Sequence, residues 1–126
     1  MSTPASGPTK LGVAPNVGGL LSYAPCGIGL IFSIVAVIVE KENRFLRFHA
    51  FQSLLVHAAV FVGWIAIMIL TFVLGAIAAV LSILGTLLWF VYLVAVIGIH
   101  VYLMIKAYNG EEYALPTLGD MARQWV

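Results

Sequence analysis

Residues 48–105 read FHAFQSLLVHAAVFVGWIAIMILTFVLGAIAAVLSILGTLLWFVYLVAVIGIHVYLMI, a stretch of 58 residues without Asp, Glu, Lys or Arg. A helix of about 20 residues, at about 1.5 Å per residue, crosses the roughly 30 Å hydrocarbon core of a bilayer once. The stretch is therefore long enough for two crossings joined by an uncharged turn. A soluble chain of 126 residues could not easily bury it, so the sequence indicates an integral membrane protein.

The composition supports this class and excludes others. Only 9% of the residues are charged, against about 25% in ordinary globular domains. The net charge of +1 provides no basic surface for nucleic acid, which we exclude as a partner. Residues 1–16, rich in Ser, Thr, Gly and Pro, are predicted to form a disordered tail, and residues 17–126 a single membrane domain.

The predicted fold class is an all-α integral membrane protein, a compact bundle of three transmembrane helices. The spans are predicted at about residues 20–39, 54–74 and 84–105, and the turn between the last two lies near Gly75 to Ser82. A short interfacial helix is predicted at the C-terminus, from the amphipathic spacing of Leu118, Met121, Ala122 and Trp125.

Basic residues determine the predicted orientation. With three spans, residues 40–47 and the C-terminus share one side of the membrane, which carries five of the six Lys and Arg, and Lys10 stands alone on the other side. The positive-inside rule then places the N-terminus outside and the C-terminus in the cytoplasm. We therefore expect a multi-pass protein of the inner cell membrane.

Small residues recur along the first predicted span at alternating spacings of four and three, which places them on one helical face. Small side chains let two helix backbones approach closely in a membrane. We interpret this face as the packing seam for other integral membrane proteins or for a second copy of the chain. Its members are Ser22, Cys26, Gly29, Ser33 and Ala36.

Polar side chains also follow helical spacing within and beside the uncharged stretch. In a membrane such stripes face each other or a cavity, because lipid cannot satisfy their hydrogen bonds. One stripe comprises Glu42, His49, Ser53, His57, Trp64 and Thr71, and the other comprises Ser82, Thr86, Trp89, Val96 and His100.

His57 and His100 lie at similar predicted depths, in the cytoplasmic half of the bilayer. Their imidazoles suit three roles: hydrogen bonding between neutral histidines, ligation of a haem or a chlorophyll-type pigment, and proton or solute transfer. The first role needs no cofactor. Ser53 and His57 form an i, i+4 pair without a nearby carboxylate or oxyanion donor, so we predict no catalytic site and no enzyme.

Two segments resemble a family of small bacterial and archaeal membrane proteins without an assigned function, which is distantly similar to the Tic-twenty component of the chloroplast protein import machinery. They are residues 40–53, EKENRFLRFHAFQS, and residues 106–113, KAYNGEEY, followed by Leu115-Pro116 and Gly119-Asp120. The resemblance covers about residues 20–120 and implies a compact multi-span helical protein. The motif residues that it carries to this chain are Arg47, Phe48, His49, Gln52, Ser53, Gly110, Glu111 and Tyr113.

Both motifs lie at the predicted cytoplasmic face. We expect them to pack together there, with Arg47 or His49 reaching Glu111 or Glu112. The favoured function is a non-enzymatic accessory or scaffold subunit that packs against larger membrane-protein partners within the lipid. The alternatives are a component of a transport or protein-translocation pathway, suggested by the distant similarity, and a haem- or pigment-binding subunit of a respiratory or photosynthetic complex.

Overall fold

A computed structural model describes residue 7 and residues 9–126 of the chain. The described part is helical and contains no strand. It confirms the prediction of a helical membrane protein. The helices are α1 (Pro15–Ser22), α2 (Ile28–Val39), α3 (Arg44–Ile77), α4 (Ser82–Tyr108) and α5 (Leu118–Gln124).

The chain divides into two compact units. The first unit contains the described residues up to His57 together with His100–Val126, and the second unit is Ala58–Ile99. All 11 charged residues belong to the first unit, and none lies in the second. The prediction of one domain over residues 17–126 stays a prediction.

Two helices are long and apolar enough to cross a membrane. With 34 and 27 residues, α3 and α4 measure about 51 and 40 Å. They contain the predicted spans 54–74 and 84–105 and extend beyond them at both ends. A 3-10 turn at Ala79–Leu81 joins them, inside the range predicted for this connection.

The predicted first span, residues 20–39, is wrong as a single helix. The chain reverses between α1 and α2 instead of continuing. Pro25 has no backbone N–H with which to extend α1. Cys26 and Gly27 both adopt left-handed φ angles, 62° and 79°, which end a right-handed helix. The resulting α2 has only 12 residues, so three full crossings do not follow from the structure.

The close approach of α1 and α2 depends on Gly29. A Cβ atom at this position would lie 2.6 Å from the carbonyl oxygens of Ser22 and Ala24, so a larger residue would push α2 away. At the other end of the two helices, the backbone N–H of Lys10 donates to the Glu40 carboxylate at 2.8 Å. The two helices are therefore antiparallel and form a hairpin, the α1–α2 hairpin, whose open end carries charged residues.

Lys10 lies with the other charged residues rather than apart from them. Its ammonium nitrogen is 3.0 Å from a carboxylate oxygen of Glu42. The structure therefore does not show the membrane span that was expected to separate Lys10 from residues 40–47, because the residues between them form the α1–α2 hairpin.

The small-residue face is occupied by the chain itself. Ser22, Ser33 and Ala36 are fully buried, and Ala36 packs with Leu46 and Ala50 of α3. The predicted packing seam is therefore covered largely by the chain itself, because the hairpin turns the face inward. Cys26, in the turn, is exposed.

Residues of the predicted N-terminal tail divide into two groups. Residues 1–6 and residue 8 lie outside the described part of the chain. Residues 9–14 form a turn that leads into α1, in which the Thr9 hydroxyl donates to the carbonyl of Val13 at 2.5 Å. This segment belongs to the packed first unit rather than to a tail.

The end of α4 satisfies its own carbonyl groups. Gly110 has a left-handed φ of 79°, and its N–H bonds to the carbonyl of Ala107 at 3.0 Å. The N–H of Glu111 bonds to the carbonyl of Lys106 at 3.0 Å. These two bonds form a Schellman motif, which ends α4 at this glycine.

Candidate functional site

A buried polar cluster in the first unit joins α3 to the C-terminal segment. Gln52, fully buried, donates from Nε2 to the carbonyl oxygen of Tyr113 and to the hydroxyl of Tyr23, both at 2.9 Å. Its Oε1 accepts from the N–H of Leu115 at 2.8 Å. We call Tyr23, His49, Gln52 and Ser53 the polar core.

The polar core defines the tautomer of His49. The Tyr23 hydroxyl accepts from Gln52, so its own proton is directed to His49 Nδ1, 3.0 Å away. Nε2 then carries the imidazole proton and donates to the carbonyl oxygen of Glu111 at 3.1 Å. His49 is therefore a neutral side chain that links the hairpin turn to the C-terminal segment.

The contact expected between the two motifs occurs through backbone atoms. His49 reaches the Glu111 carbonyl rather than its carboxylate, and that carboxylate pairs with Lys106 at 2.8 Å. Arg47 instead donates to the carbonyl oxygens of Glu40 at 2.7 Å and Trp125 at 3.2 Å. The motif residues thus hold the loop, α3 and α5 together through main-chain groups.

Ser53 and His57 continue the polar side of α3. The Ser53 hydroxyl donates to the carbonyl of Ser22, which ties α3 to the end of α1. His57 Nδ1 lies 2.8 Å from the Ser53 carbonyl oxygen, so this nitrogen is the protonated one.

His57 and His100 meet as predicted from their depths. Their ring centroids are 5.2 Å apart with an interplanar angle of 81°. Two imidazoles that bind one haem iron from opposite sides, at about 2 Å each, have ring centres about 6 Å apart with the porphyrin plane between them. The observed edge contact leaves no space for that plane between the rings. Ligation by one of the two histidines stays a prediction.

Glu40 anchors the connection between α2 and α3. It is fully buried and accepts from the backbone N–H groups of Lys10, Glu42 and Asn43 at 2.8 to 3.1 Å. Burial by itself raises the pKa of a carboxyl, but these amide hydrogen bonds and the Lys10 charge outweigh it and hold the pKa of Glu40 below its ordinary value.

In the second unit, the two predicted polar stripes contact each other through aromatic rings and through the close approach of Gly85 to Thr71. Trp64 and Trp89 meet edge to face, with centroids 6.5 Å apart, and the Tyr92 hydroxyl donates to the carbonyl of Val60. A Cβ atom on Gly85 would lie 2.6 Å from Thr71. Trp64 and Thr71 of one stripe and Trp89 of the other therefore lie at the seam between α3 and α4 over residues 58–99.

Three residues of the site were not predicted from the sequence: Tyr23, Glu40 as an anchor, and Tyr92. Tyr23 lies inside the region that was assigned to a single span and Glu40 directly follows it, and no hairpin partner was expected there. The Pro25-Cys26-Gly27 sequence was the available signal, since Pro and Gly together are typical of turns.

Comparison with known proteins identifies the relatives of this chain. Residues 9–122 match the MamF and MmsF family, described as the magnetosome magnetite crystal formation protein family. A UPF0132 membrane protein of Methanocaldococcus jannaschii is 33% identical over 121 residues, which cover 94% of each chain. A UPF0132 membrane protein of Archaeoglobus fulgidus is 32% identical over 111 residues, which cover 88% of this chain and 94% of the relative. No solved structure matches the chain.

These relatives confirm the resemblance to a family of bacterial and archaeal membrane proteins, and the family match extends over nearly all of the described residues. The chain belongs to the MamF and MmsF family, the magnetosome magnetite crystal formation protein family.

Proposed function

We propose that the protein is a non-enzymatic accessory subunit of the inner cell membrane that packs laterally against larger membrane-protein partners. The surface of the second unit is the observation that carries this proposal. Among residues 58–99, all of which the structure describes, only Gly85 is buried. A two-helix hairpin of this kind has little interior of its own and gains most of its packing from neighbours in the bilayer.

An open pocket on α4 is the part of this surface best suited to a partner helix. It is lined by Thr86, Trp89, Phe90 and Leu93. The Thr86 hydroxyl already donates to the carbonyl of Ser82 at 3.0 Å, so the pocket offers mainly aromatic and aliphatic surface. Aromatic side chains dominate the energy of many protein interfaces, and the occupant we propose is an apolar helix of another membrane protein.

The polar core supports a structural role for the first unit. Its side chains bond to main-chain groups of the same chain, as those of Gln52 and His49 do. Side chains that bond to main-chain groups in this way hold segments of the first unit in place. The basic residues of the first unit are proposed to face the cytoplasm, in accordance with the positive-inside rule.

Native mass spectrometry of complexes extracted in mild detergent tests the proposal. We expect a partner at constant stoichiometry whose recovery falls at least tenfold with Phe90→Ala, whose side chain is 62% exposed. Phe72→Ala, on α3 and 77% exposed, is the matched control and should leave recovery unchanged.

Two results would contradict an accessory role. One is extraction of the chain without a stoichiometric partner from its native membrane. The other is ion or solute flux by the purified chain alone in liposomes, which would support the translocation component suggested by the Tic-twenty similarity.

A further inference from the structure

We infer that the α1–α2 hairpin is a re-entrant element. It enters the bilayer from the charged end of the first unit, contacts lipid acyl chains along α2, and returns to the same side. The segment before α1 and the segment after α4 then lie on one face of the membrane. This inference concerns contact with lipid and is independent of the protein partner proposed above.

The length of α2 is the first argument. Its 12 residues measure about 18 Å, whereas a crossing needs about 30 Å. The helix therefore reaches past the middle of the hydrocarbon core at most. The reversal at Pro25–Gly27 keeps the chain from continuing to the opposite face.

The outward surface of α2 is the second argument. It carries large aliphatic side chains along its whole length, and Ile31 is 67% exposed. Transfer of these half-exposed side chains from water to hydrocarbon is favourable, because it removes their apolar surface from water. In water the same surface would form an unusually large apolar patch. Its main members are Ile28, Ile31, Ile34, Val35 and Ile38.

The separation of polar groups along the hairpin is the third argument. The ion pair of Lys10 and Glu42 and the buried carboxylate of Glu40 lie at the open end. Lys41, beside them, donates to the carbonyl of Val37 at 3.0 Å. Charged side chains at one end of an aliphatic surface match the order of headgroups and acyl chains in a leaflet.

Backbone groups in hydrocarbon pair with other groups of the protein, and two amides at the turn do so. The N–H of Gly29 donates to the carbonyl of Ala24 at 3.0 Å, and the N–H of Ile28 donates to that of Pro25 at 3.3 Å. Pro25 itself contributes no N–H group.

The carbonyl of Ser22, at the end of α1, is also satisfied within the protein. The hydroxyl of Ser33 donates to it at 3.2 Å, and that of Ser53 donates to it as well. A helix end without such partners would be costly away from water. The two buried serines therefore satisfy this end of α1 without water.

Contacts at the open end place both chain segments on one side. The Asn16 side chain donates to the carbonyl of Tyr108 at 3.0 Å, and Arg47 donates to that of Trp125. Together with Lys10, all six Lys and Arg then share one face, which the positive-inside rule assigns to the cytoplasm.

Cys26 permits a direct test, because it is the only cysteine of the chain and it is exposed in the turn. In sealed vesicles we expect Cys26 to resist a charged, impermeant thiosulfonate applied to either side, because the thiolate that reacts does not form in hydrocarbon, and to react with it once the protein is unfolded in SDS. The matched control is Glu42→Cys in a chain with Cys26→Ser, since the Glu42 side chain is 79% exposed at the open end. That thiol should react with the charged reagent from one side.

Reporters fused to the two ends of the chain complete the test. We expect both to be accessible from the side on which the Glu42→Cys thiol reacts. Reporters on opposite sides would overturn the inference and restore a full first span. Reaction of Cys26 with the charged reagent as fast as the control thiol would overturn it as well, because the turn would then lie in water.

Discussion

Nε2 of Gln52 lies 2.9 Å from the carbonyl oxygen of Tyr113, 61 residues further along the chain. The same side chain accepts from the N–H of Leu115. One amide thus pairs with both kinds of main-chain group in an extended segment, much as a neighbouring strand would. The C-terminal segment is held on α3 by this side chain and by His49.

Gln52→Ala should loosen the C-terminal segment, because it removes three buried hydrogen bonds and leaves main-chain groups without partners. We expect a loss of on the order of 2–3 kcal/mol in the free energy of unfolding. Limited proteolysis after Glu111 should accelerate in parallel. Gln124→Ala, at an exposed position, is the control; equal effects of the two changes would contradict the assigned role.

Gly85→Ala should disturb the seam of the second unit. The added Cβ would lie 2.6 Å from Cγ2 and 2.8 Å from Oγ1 of Thr71, so the helices must separate or Thr71 must shift. The Cβ atom added by Gly98→Ala would have no neighbouring atom within 4 Å. The change also removes a helix-destabilising glycine, which is favourable by up to about 1 kcal/mol.

Thermal unfolding in detergent compares these two glycine variants. We expect a lower Tm for Gly85→Ala and an unchanged or higher Tm for Gly98→Ala. An unchanged Tm for Gly85→Ala would mean that α3 and α4 do not pack at this site.

We predict that Glu40 stabilises the folded protein in a way that is lost at acid pH. Because its pKa is lower in the folded protein than in the unfolded chain, the contribution is present above the unfolded pKa, about 4.3. It is lost as the pH falls from there through the folded pKa. Glu40→Gln should lower stability at pH 7 and flatten the decline below about pH 4.3. A stability profile unaltered by Glu40→Gln would refute the prediction.

The His57 and His100 pair predicts that the purified protein carries no bis-histidine haem. With ring centroids 5.2 Å apart, we expect protein purified from its native membrane to show no haem absorption band that depends on both histidines. A band that disappears in both His57→Gln and His100→Gln would disprove this prediction and require the two helices to separate on binding.

Prediction from the sequence worked best where one helix carries the pattern. The spacing of Trp64 and Thr71 on α3, and of Trp89 on α4, predicted the faces that meet, because lipid leaves polar and aromatic side chains of this kind few other partners.

Prediction failed where a short segment could satisfy two patterns. Residues 20–39 have the length and apolarity of a span, and the same residues form a hairpin once Gly29 packs against the carbonyls of Ser22 and Ala24. The small residues do share one helical face, but that face packs against other helices of the same chain. Spacing alone cannot distinguish an internal seam from an external one.

The sequence by itself determined that this is a membrane protein with two long apolar helices and with its charges outside residues 48–105. Burial in lipid depends on composition and length, which are local properties. Tertiary structure alone decided that Lys10 joins Glu40 and Glu42, that α2 turns back beside α1, and that Gln52 binds the C-terminal segment. These features depend on the approach of residues distant in the sequence, where the packing of a glycine or the pairing of one buried carbonyl selects between a span and a hairpin.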